Sequence, residues 1–418
     1  MKTRAVILAG GQGTRLEVLT HKRTKPAVPF AGKYRVIDFA LSNCVNSNLF
    51  DIMIIAQYRP HSLVDHIGSG GSWDLDRNFT GGVRIYTPYQ ARGAGWFMGT
   101  ADAVQQNFRF IKHNAPDLVL ILSGDHIYKM DYSAMIAYHL EKKADLTLAT
   151  IEVPLAEANR FGIVGINRDQ RVTSFVEKPA EPPSNLANMG VYLFSTEVLD
   201  KILWGDSLKQ DSAHDFGKDI IPSLVRLSAR VYAYPFKGYW VDVGTVSSYW
   251  QAHMDLLKEP PTFDLYDRSW IIHTRSEERP PVKIESGAVV DDSLICDGCI
   301  IETGAQVVRS VLSPGVIVKG GALVKESIIL TDTTIESQAR VQRAVLDKQV
   351  SIGSKARVGD VVLEEMHIAM VGKGSTVPPQ MVIEPGGIVG TDVIASDYPG
   401  EMVKTGEFVQ TRRLPNEL

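Results

Sequence analysis

Aliphatic side chains recur at a fixed spacing through the last third of the chain. From Val290 to Val358 the distances between successive aliphatics are five, six and six residues, and this cycle of three distances then repeats. A small or β-branched residue stands two positions before nearly every aliphatic, as Cys299 does before Ile301. A pleated strand would alternate at every second residue, whereas this spacing is typical of a hexapeptide-type solenoid with three short faces per coil. The repeat therefore predicts a left-handed parallel β-helix, with about four coils in its regular part.

The part of the chain before this repeat alternates short apolar runs, which are typical of buried strands, with stretches of helical periodicity. The predicted strands cover 5–9, 52–56, 118–122 and 146–151, and the predicted helices cover 101–112 and 132–143. Such alternation predicts a mixed, mostly parallel α/β sheet, whose ligands bind outside the carboxyl ends of the strands. We expect an α/β domain over 1–257, a proline-bracketed linker over 258–281 and the β-helix with its tail over 282–418.

A glycine-rich loop follows the first predicted strand. Gly10, Gly11 and Gly13 end the apolar run, and the cations Arg15 and Lys25 follow. Glycines let backbone N–H groups approach a phosphate chain, and two cations can stabilise a polyphosphate leaving group. The loop lacks both the G-x-G-x-x-G pattern of dinucleotide-binding proteins and the Lys-Ser or Lys-Thr of a P-loop. It indicates chemistry on a nucleoside triphosphate.

Several motifs in order resemble those of the sugar-1-phosphate nucleotidyltransferases. They lie at 10–16, 24–29, 99–103, 124–128, 175–179, 214–219 and 240–245. The stretch 34–47, Tyr-Arg-Val-Ile-Asp-Phe-Ala-Leu-Ser-Asn-Cys-Val-Asn-Ser, is similar to the glucose-1-phosphate adenylyltransferases of bacterial glycogen synthesis. The resemblance implies a Rossmann-like nucleotidyltransferase domain. It also implies transfer of the adenylyl group of ATP to glucose 1-phosphate with Mg²⁺, giving ADP-glucose and pyrophosphate.

Two carboxylates are the candidate magnesium ligands. Asp125 follows the apolar run 119–122, and Asp242 lies in the stretch Trp-Val-Asp-Val-Gly-Thr. Mg²⁺ prefers oxygen ligands and commonly takes one or two carboxylates, although either Asp could equally form a turn or a helix cap. The resemblance implies that both bind the metal and that Arg15 and Lys25 act with them in catalysis.

The resemblance also implies the substrate contacts. The nucleotide-binding residues would be Leu8, Ala9, Gly10, Gly11, Gly13, Thr14, Gln57, Gly99 and Thr100. The glucose 1-phosphate-binding residues would be Phe97, Gly162, Glu177, Lys178 and Asn188. Phe97 and Asn188 stand where the family usually has Tyr and Ser. The Gln57 amide can pair with adenine but can also adapt to other bases. The expectation that the base is adenine therefore depends on the resemblance.

Regulation and assembly are further expectations. Lys22 and Arg23 are additional cations, beyond those that a triphosphate needs, although they could equally be solvated surface charges. The resemblance implies that they bind a phosphorylated-metabolite effector, with Arg35 nearby in the sequence and Trp96 relaying the signal. The regular coils contain no histidine, which disfavours a solenoid acyltransferase. We interpret the solenoid as the oligomerising part of a homotetramer.

Charge, hydropathy and cysteine content argue against several other classes of protein. The formal net charge of −4 and the mixed charge pattern predict neither a nucleic-acid partner nor a membrane surface. No apolar stretch approaches the ~18 residues of a membrane span. Cys44, Cys296 and Cys299 are too few for a disulfide framework, which suggests structural roles and a reducing cytoplasm.

Two functional alternatives stay open. The enzyme could use UTP, dTTP or GTP in place of ATP. The chain could also be a catalytically silent regulatory subunit, a class that tends to lose metal carboxylates or leaving-group cations. The presence of Arg15, Lys25, Asp125, Lys178 and Asp242 argues against that second alternative.

Overall fold

In a computed structural model the chain forms two compact units, each assembled from separate segments. The structure describes residues 1–11, 13–77, 81–88, 95–359 and 367–414. The first unit comprises Met1–Gly11, Ile37–Trp240 and Arg268–His273, and the second comprises Gln12–Val36, Val241–Asp267 and Thr274–Leu418. The domain limits at 257 and 282 stay predictions.

Thirteen strands and eight α-helices precede the solenoid in the described residues. The strands are β1 (Thr3–Ala9), β2 (Pro29–Phe30), β3 (Tyr34–Arg35), β4 (Asp51–Ala56), β5 (Gly82–Tyr86), β6 (Leu118–Ser123), β7 (His126–Tyr128), β8 (Leu146–Glu152), β9 (Gly162–Ile166), β10 (Val172–Glu177), β11 (Leu186–Ser195), β12 (Val231–Pro235) and β13 (Trp240–Asp242). The helices are α1 (Val36–Asn46), α2 (His61–Ile67), α3 (Thr100–Gln106), α4 (Phe108–Ile111), α5 (Tyr132–Glu141), α6 (Thr196–Ser207), α7 (Ile221–Arg226) and α8 (Val246–Asp255).

The first unit is built on a nine-stranded mixed sheet. The strand order is β10-β9-β11-β6-β1-β4-β5, with β8 beside β11 and β12 beside β8. The four strands β6, β1, β4 and β5 pair in parallel, whereas β11 pairs antiparallel with β6. The central strands are continuous apolar runs because both of their faces are buried. The predicted mostly parallel α/β sheet is confirmed.

The two predicted helical stretches are also present. The stretch 101–112 is interrupted at Asn107, which separates α3 from α4 and whose side-chain amide donates to the Ala103 carbonyl. Helix α5 begins after Asp131, whose carboxylate caps it by accepting a hydrogen bond from the Ser133 N–H at 2.8 Å. No helix among the described residues has the length and apolar character needed to cross a membrane.

The glycine loop does not lead into a long α-helix. Thr14–Thr20 forms a short 3₁₀ segment with non-helical backbone angles at Glu17, and Lys25–Ala27 forms one further 3₁₀ turn. Anion binding in this loop cannot therefore rely on the dipole of an extended helix. We expect an anion to be bound here by individual N–H groups and by the cations Arg15 and Lys25.

The second unit contains a parallel β-helix made of twenty short strands. They are β14 (Lys283–Ile284), β15 (Val289–Asp291), β16 (Leu294–Ile295), β17 (Ile300–Ile301), β18 (Gln306–Val308), β19 (Val311–Leu312), β20 (Ile317–Val318), β21 (Leu323–Lys325), β22 (Ile328–Ile329), β23 (Thr334–Ile335), β24 (Arg340–Gln342), β25 (Ala344–Leu346), β26 (Ser351–Ile352), β27 (Arg357–Gly359), β28 (Ala369–Val371), β29 (Thr376–Val377), β30 (Val382–Ile383), β31 (Ile388–Val389), β32 (Met402–Val403) and β33 (Phe408–Val409). They form three parallel sheets of six, seven and seven strands around the predicted aliphatic core.

The solenoid is longer than the regular repeat predicts. Ile328 pairs with Val345, one regular period later, but Val345 pairs with Met370, and this step is longer by nearly half. Met370 then pairs with Ile388, which returns the step close to the regular period. The estimate of about four coils covers only the regular part, because the repeat loses its fixed period after Val358, whereas strand pairing continues to Val409.

The three cysteines are free thiols in this structure. Cys299 lies in the apolar core of the solenoid, as its small position in the repeat predicts. Burial raises the pKa of the Cys296 thiol to about 12 and the pKa of Cys44 beyond that range. Neither thiol is activated as a nucleophile, which supports structural roles.

A buried histidine holds the β2–β3 hairpin of the second unit. The His253 ring is fully buried, accepts the Ala31 N–H at Nε2 over 3.0 Å and donates from Nδ1 to the Tyr249 carbonyl over 2.8 Å. It also packs against Phe30, with ring centroids 4.4 Å apart. Only a neutral ring can accept the Ala31 N–H, and burial lowers the pKa of His253 to about 4.

We expect His253→Gln to reduce the loss of stability on acidification. An unfolded histidine takes up its proton near pH 6.5, whereas folded His253 does so at about 4. Its stabilising contribution is therefore complete above about pH 6.5 and is lost as the pH falls toward 4. Between pH 7 and pH 5 the wild type should lose about 2 kcal/mol more unfolding free energy than the variant, measured by chemical denaturation.

The exposed His113→Gln variant is the matched control and should keep the wild-type dependence. Equal losses of unfolding free energy in wild type and His253→Gln would contradict the assignment of His253 as a buried, neutral ring.

Candidate functional site

Three predicted site residues follow neighbouring parallel strands of the first unit. Gly10 follows β1 directly, Gln57 follows β4 directly, and Asp125 comes two residues after β6. The pairing register brings the ends of the three strands level, with Leu8 and Ala9 as the last residues of β1. A Cβ added to Gly10 would meet the Gln57 Cβ at 3.7 Å. These residues therefore share one edge of the sheet, where the fold class predicts ligand binding.

The Asp125 carboxylate is oriented by its sequence neighbours. Its Oδ1 accepts a hydrogen bond from the Ser123 hydroxyl and lies 3.4 Å from His126 Nε2. The His126 ring packs edge-on against Trp240, with ring centroids 5.0 Å apart. The Asp125 side chain stays 29% exposed. It is thus a fixed carboxylate with access to solvent, suited to an oxygen-preferring cation.

The segment around Trp96 lies beside Gln57. The Trp96 ring is 63% exposed and stacks on Tyr58, with ring centroids 5.2 Å apart and planes inclined by 8°. The Gln57 side-chain amide donates to the Phe97 carbonyl at 3.4 Å, and residues 99–100 follow at the start of α3. The structure therefore joins the predicted base-recognition amide to the segment that carries three further predicted site residues.

Glu177 lies between two glycines near the end of β10. A Cβ on Gly162 would come within 2.8 Å of Glu177 Oε2, and one on Gly217 within 2.6 Å, so the carboxylate approaches bare backbone on both sides. Burial raises the pKa of Glu177, an effect opposed by Lys178. The Lys178 side chain is 61% exposed, with Nζ 3.5 Å from Glu177 Oε1. The predicted acceptor and cation for a sugar phosphate thus lie together.

Asn188 is committed to hydrogen bonds within its own strand. Its side-chain amide donates to the Tyr192 hydroxyl at 2.8 Å, and its oxygen accepts the Gly190 N–H at 3.2 Å. The register of β11 against β8 shifts between Asn188 and Tyr192, and Gly190 adopts φ +70° there. Asn188 therefore stabilises an irregular turn of the strand.

The other predicted catalytic residues belong to the second unit. Lys25 and Asp242 form an ion pair of 2.6 Å with side chains 8% and 19% exposed. Gly13 adopts φ +67°, and an added Cβ would lie 3.0 Å from the Lys25 Cβ, so the loop closes tightly on this lysine. Thr14 and Arg15 are exposed. The structure brings together a predicted leaving-group cation and a predicted metal carboxylate.

The additional loop cations are engaged by carboxylates of the solenoid. Arg23 forms an ion pair of 2.8 Å with Asp347, and their side chains are 4% and 1% exposed. Lys22 forms an ion pair with Asp392 while remaining partly exposed. Each of the two cations therefore already has a carboxylate partner in the structure.

Sequence reasoning missed Lys348, which lies in the same charged cluster. Burial together with the nearby Arg35 and Arg23 cations lowers the pKa of Lys348 to about 8, and Asp347 opposes this effect only in part. Lys348 follows a buried aspartate at a corner of the solenoid, and no local motif in the sequence marks it. Only the fold brings it to the predicted effector residues.

Comparison with known proteins supports the resemblance. The sequence profile of the family described as Nucleotidyl transferase matches residues 4–259, and the profile described as GlmU-like, C-terminal hexapeptide matches 282–377. The glucose-1-phosphate adenylyltransferase of Geobacillus stearothermophilus is 53% identical over 298 residues, covering 71% of this chain and 77% of the relative. The enzyme of the same name from Thermomicrobium roseum is 56% identical over 297 residues, covering 71% of this chain and 69% of the relative.

A third relative, the glucose-1-phosphate adenylyltransferase of Clostridium novyi, is 52% identical over 298 residues, covering 71% of this chain and 78% of its own. These identities extend beyond the length of the nucleotidyl transferase match alone. The parallel strands that precede Gly10, Gln57 and Asp125 agree with that family assignment. The chain belongs to the nucleotidyl transferase family and, within it, to the glucose-1-phosphate adenylyltransferases.

Proposed function

We propose that this chain is a cytoplasmic glucose-1-phosphate adenylyltransferase, forming ADP-glucose and pyrophosphate from ATP and glucose 1-phosphate. The observation that carries the proposal is the identity of 52–56% to enzymes of that name. The retained charges Arg15, Lys25, Asp125, Lys178 and Asp242 favour a catalytic chain over a silent subunit.

The proposed reaction is an in-line displacement at phosphorus. A phosphate oxygen of glucose 1-phosphate forms a bond to the α-phosphorus of ATP, and the bond to the pyrophosphate oxygen breaks. The attacking oxygen is already ionised, so no general base is required. Arg15 and Lys25 stabilise the departing pyrophosphate, while Lys178 and Glu177 hold the sugar phosphate.

We propose Asp125 and Asp242 as the Mg²⁺ ligands. Both offer carboxylate oxygens, the donors that Mg²⁺ prefers, and each is oriented by a neighbour: Asp125 by Ser123 and Asp242 by Lys25. Bound Mg²⁺ supplies charge neutralisation at phosphate oxygens. Lys25 would exchange its bond to Asp242 for one to the β- and γ-phosphates of ATP as the substrate binds, and would keep it as they leave as pyrophosphate.

We expect Asp125→Asn to fold normally and to lose turnover by about two orders of magnitude or more. The amide keeps the shape of the carboxylate and loses its charge. Pyrophosphate release is measured with Mg²⁺ for each pairing of ATP, UTP, dTTP or GTP with glucose 1-phosphate or mannose 1-phosphate. The wild type should prefer ATP with glucose 1-phosphate.

Asp169→Asn, on an exposed turn, is the matched control and should retain wild-type turnover. Near wild-type turnover in Asp125→Asn would refute its role, and a preference of the wild type for UTP or GTP would refute the adenylyl assignment.

We propose a phosphorylated-metabolite effector site around Lys348 and Arg35, supported by Lys22 and Arg23. Lys348 lies near Arg23 and Arg35, and the carboxylates that act on it are Asp347 and Glu277. A cluster of cations with a depressed lysine pKa favours an anion, because the anion restores the charge balance. Trp96 is the proposed relay residue on the strength of the resemblance.

We expect the response to phosphorylated glycolytic intermediates to weaken as the pH rises from 7 to 9. Lys348 loses its proton at about pH 8, whereas a phosphate monoester is already fully ionised there. The effector concentration for half-maximal response should therefore rise with pH in the wild type. That concentration should be independent of pH in Lys348→Arg, and it should be higher than in wild type at every pH in Lys348→Met.

Activity without effector serves as the control and should be equal in all three proteins. An identical effector response in Lys348→Met and wild type would contradict the site.

We propose that a second copy of the chain covers the first coil of the solenoid within a homotetramer. Strands β14, β15 and β16 each stand at an end of their sheet among the described residues, so their outer backbone groups lack a neighbouring strand. Ile284 and Val289 are each 50% exposed on this coil. An apolar parallel edge of this kind is a template for pairing with another chain.

We expect the double variant Ile284→Lys, Val289→Lys to reduce the oligomer mass measured by sedimentation velocity. Each lysine adds a charge that a second copy would have to bury. Val64→Lys, on the exposed face of α2, is the control and should leave the mass unchanged. A monomeric wild type, or a double variant of unchanged mass, would contradict this interface.

A further inference from the structure

His214 adopts an unusual backbone conformation that its side chain supports. The residue has φ +52°, in the left-handed region that non-glycine residues rarely occupy. Its Nδ1 lies 2.8 Å from Asp206 Oδ2 near the end of α6, and the two side chains are 10% and 4% exposed. Ser212 donates to the other Asp206 oxygen at 2.9 Å. The His–Asp pair therefore fixes a turn that would otherwise be disfavoured.

The backbone of His214 in turn positions the start of α3. Its carbonyl accepts the N–H groups of Ala101 at 2.8 Å and Asp102 at 3.2 Å, and so caps the helix. A Cβ on Gly99 would come within 2.3 Å of the same carbonyl oxygen, a distance that requires glycine. The position of residues 99–102 thus depends on where the His214 carbonyl lies.

The next residues connect this start of α3 to Glu177. The Thr100 hydroxyl donates to Asp215 Oδ2 at 2.9 Å and accepts the Phe216 N–H at 3.0 Å. Gly217 follows and packs directly against the Glu177 carboxylate. We call residues 99–102 with 214–217 the junction. It joins a segment proposed to bind nucleotide to the carboxylate proposed to bind the sugar phosphate.

A further bond extends the junction toward the nucleotide segment. Asp102 Oδ2 accepts the Met98 N–H at 2.8 Å, and the Phe97 carbonyl accepts the Gln57 side-chain N–H. A displacement of the α3 start would therefore move the backbone that contacts Gln57.

We propose that Asp206 and His214 form a positioning pair, which sets the junction and thereby couples the nucleotide and sugar-phosphate subsites. The inference rests on the proposed function for the identity of the two subsites. Asp206 and His214 act through the His214 carbonyl and residues 99–102, and they take no part in bond making. Loss of the pair should weaken binding of both substrates more than it slows the chemical step.

Three variants test the pair kinetically. His214→Ala removes the ring and should raise KM for ATP and for glucose 1-phosphate about fivefold or more, with kcat reduced less than about threefold. His214→Asn should restore both KM values to within about twofold, because Asn tolerates the left-handed region and its amide can donate to Asp206. Asp200→Asn, on the same helix in an exposed ion pair with Lys112, should behave as wild type.

Hydrogen exchange measured by mass spectrometry tests the same pair without any substrate. Peptides covering 97–103 should exchange faster in His214→Ala than in wild type, and at the wild-type rate in His214→Asn. Unchanged exchange and KM values in His214→Ala would overturn the proposal. So would a loss confined to kcat, or a rise in KM that His214→Asn fails to reverse. The exchange result would stand even if the enzyme used another nucleotide or sugar.

Discussion

The parallel register of β1 with β4 and β6 is the constraint on which the first unit depends. Each strand ends within two residues of a predicted site residue, and a one-residue slip would invert every side chain relative to the sheet. The aliphatics of β1 are buried on both faces of the sheet and pack in this register. Gly10, Gln57 and Asp125 therefore share one edge because of core packing, before any contact with substrate arises.

Charge pairing plays the corresponding role in the second unit. Removing one partner of the buried Arg23–Asp347 pair would leave an uncompensated charge and cost about 3–5 kcal/mol. Arg23 thus holds its loop in place even where no effector is bound. The Lys25–Asp242 pair is less buried, and both of its members have other proposed partners. The two ion pairs of this loop therefore differ in burial, and the less buried pair is the one that we propose to exchange on substrate binding.

The sequence predicted those features that arise from local pattern. Continuous apolar runs located β1, β4, β6 and β8, and the spacing of small and aliphatic residues located the regular coils. Later coils were missed because the period breaks while backbone pairing continues from Val345 to Met370. Lys348 and the Asp206–His214 pair could not be found, since their significance comes from contacts between distant segments. No local motif marks Lys348 or Asp206, and the motif at 214–219 does not indicate the contact of His214 with Asp206.

The departures from the family pattern can be interpreted from their contacts. Both polar ends of the Asn188 amide are used, one by Tyr192 and one by the Gly190 N–H, and together they stabilise an irregularity in β11. Gly190 in turn has the His126 ring beside it, where a Cβ would come within 3.3 Å of the His126 Cε1. Asn188 therefore shapes the backbone next to the Asp125–His126 pair. We propose that its effect on the sugar site is exerted through strand geometry, whereas Glu177 and Lys178 supply the charged groups.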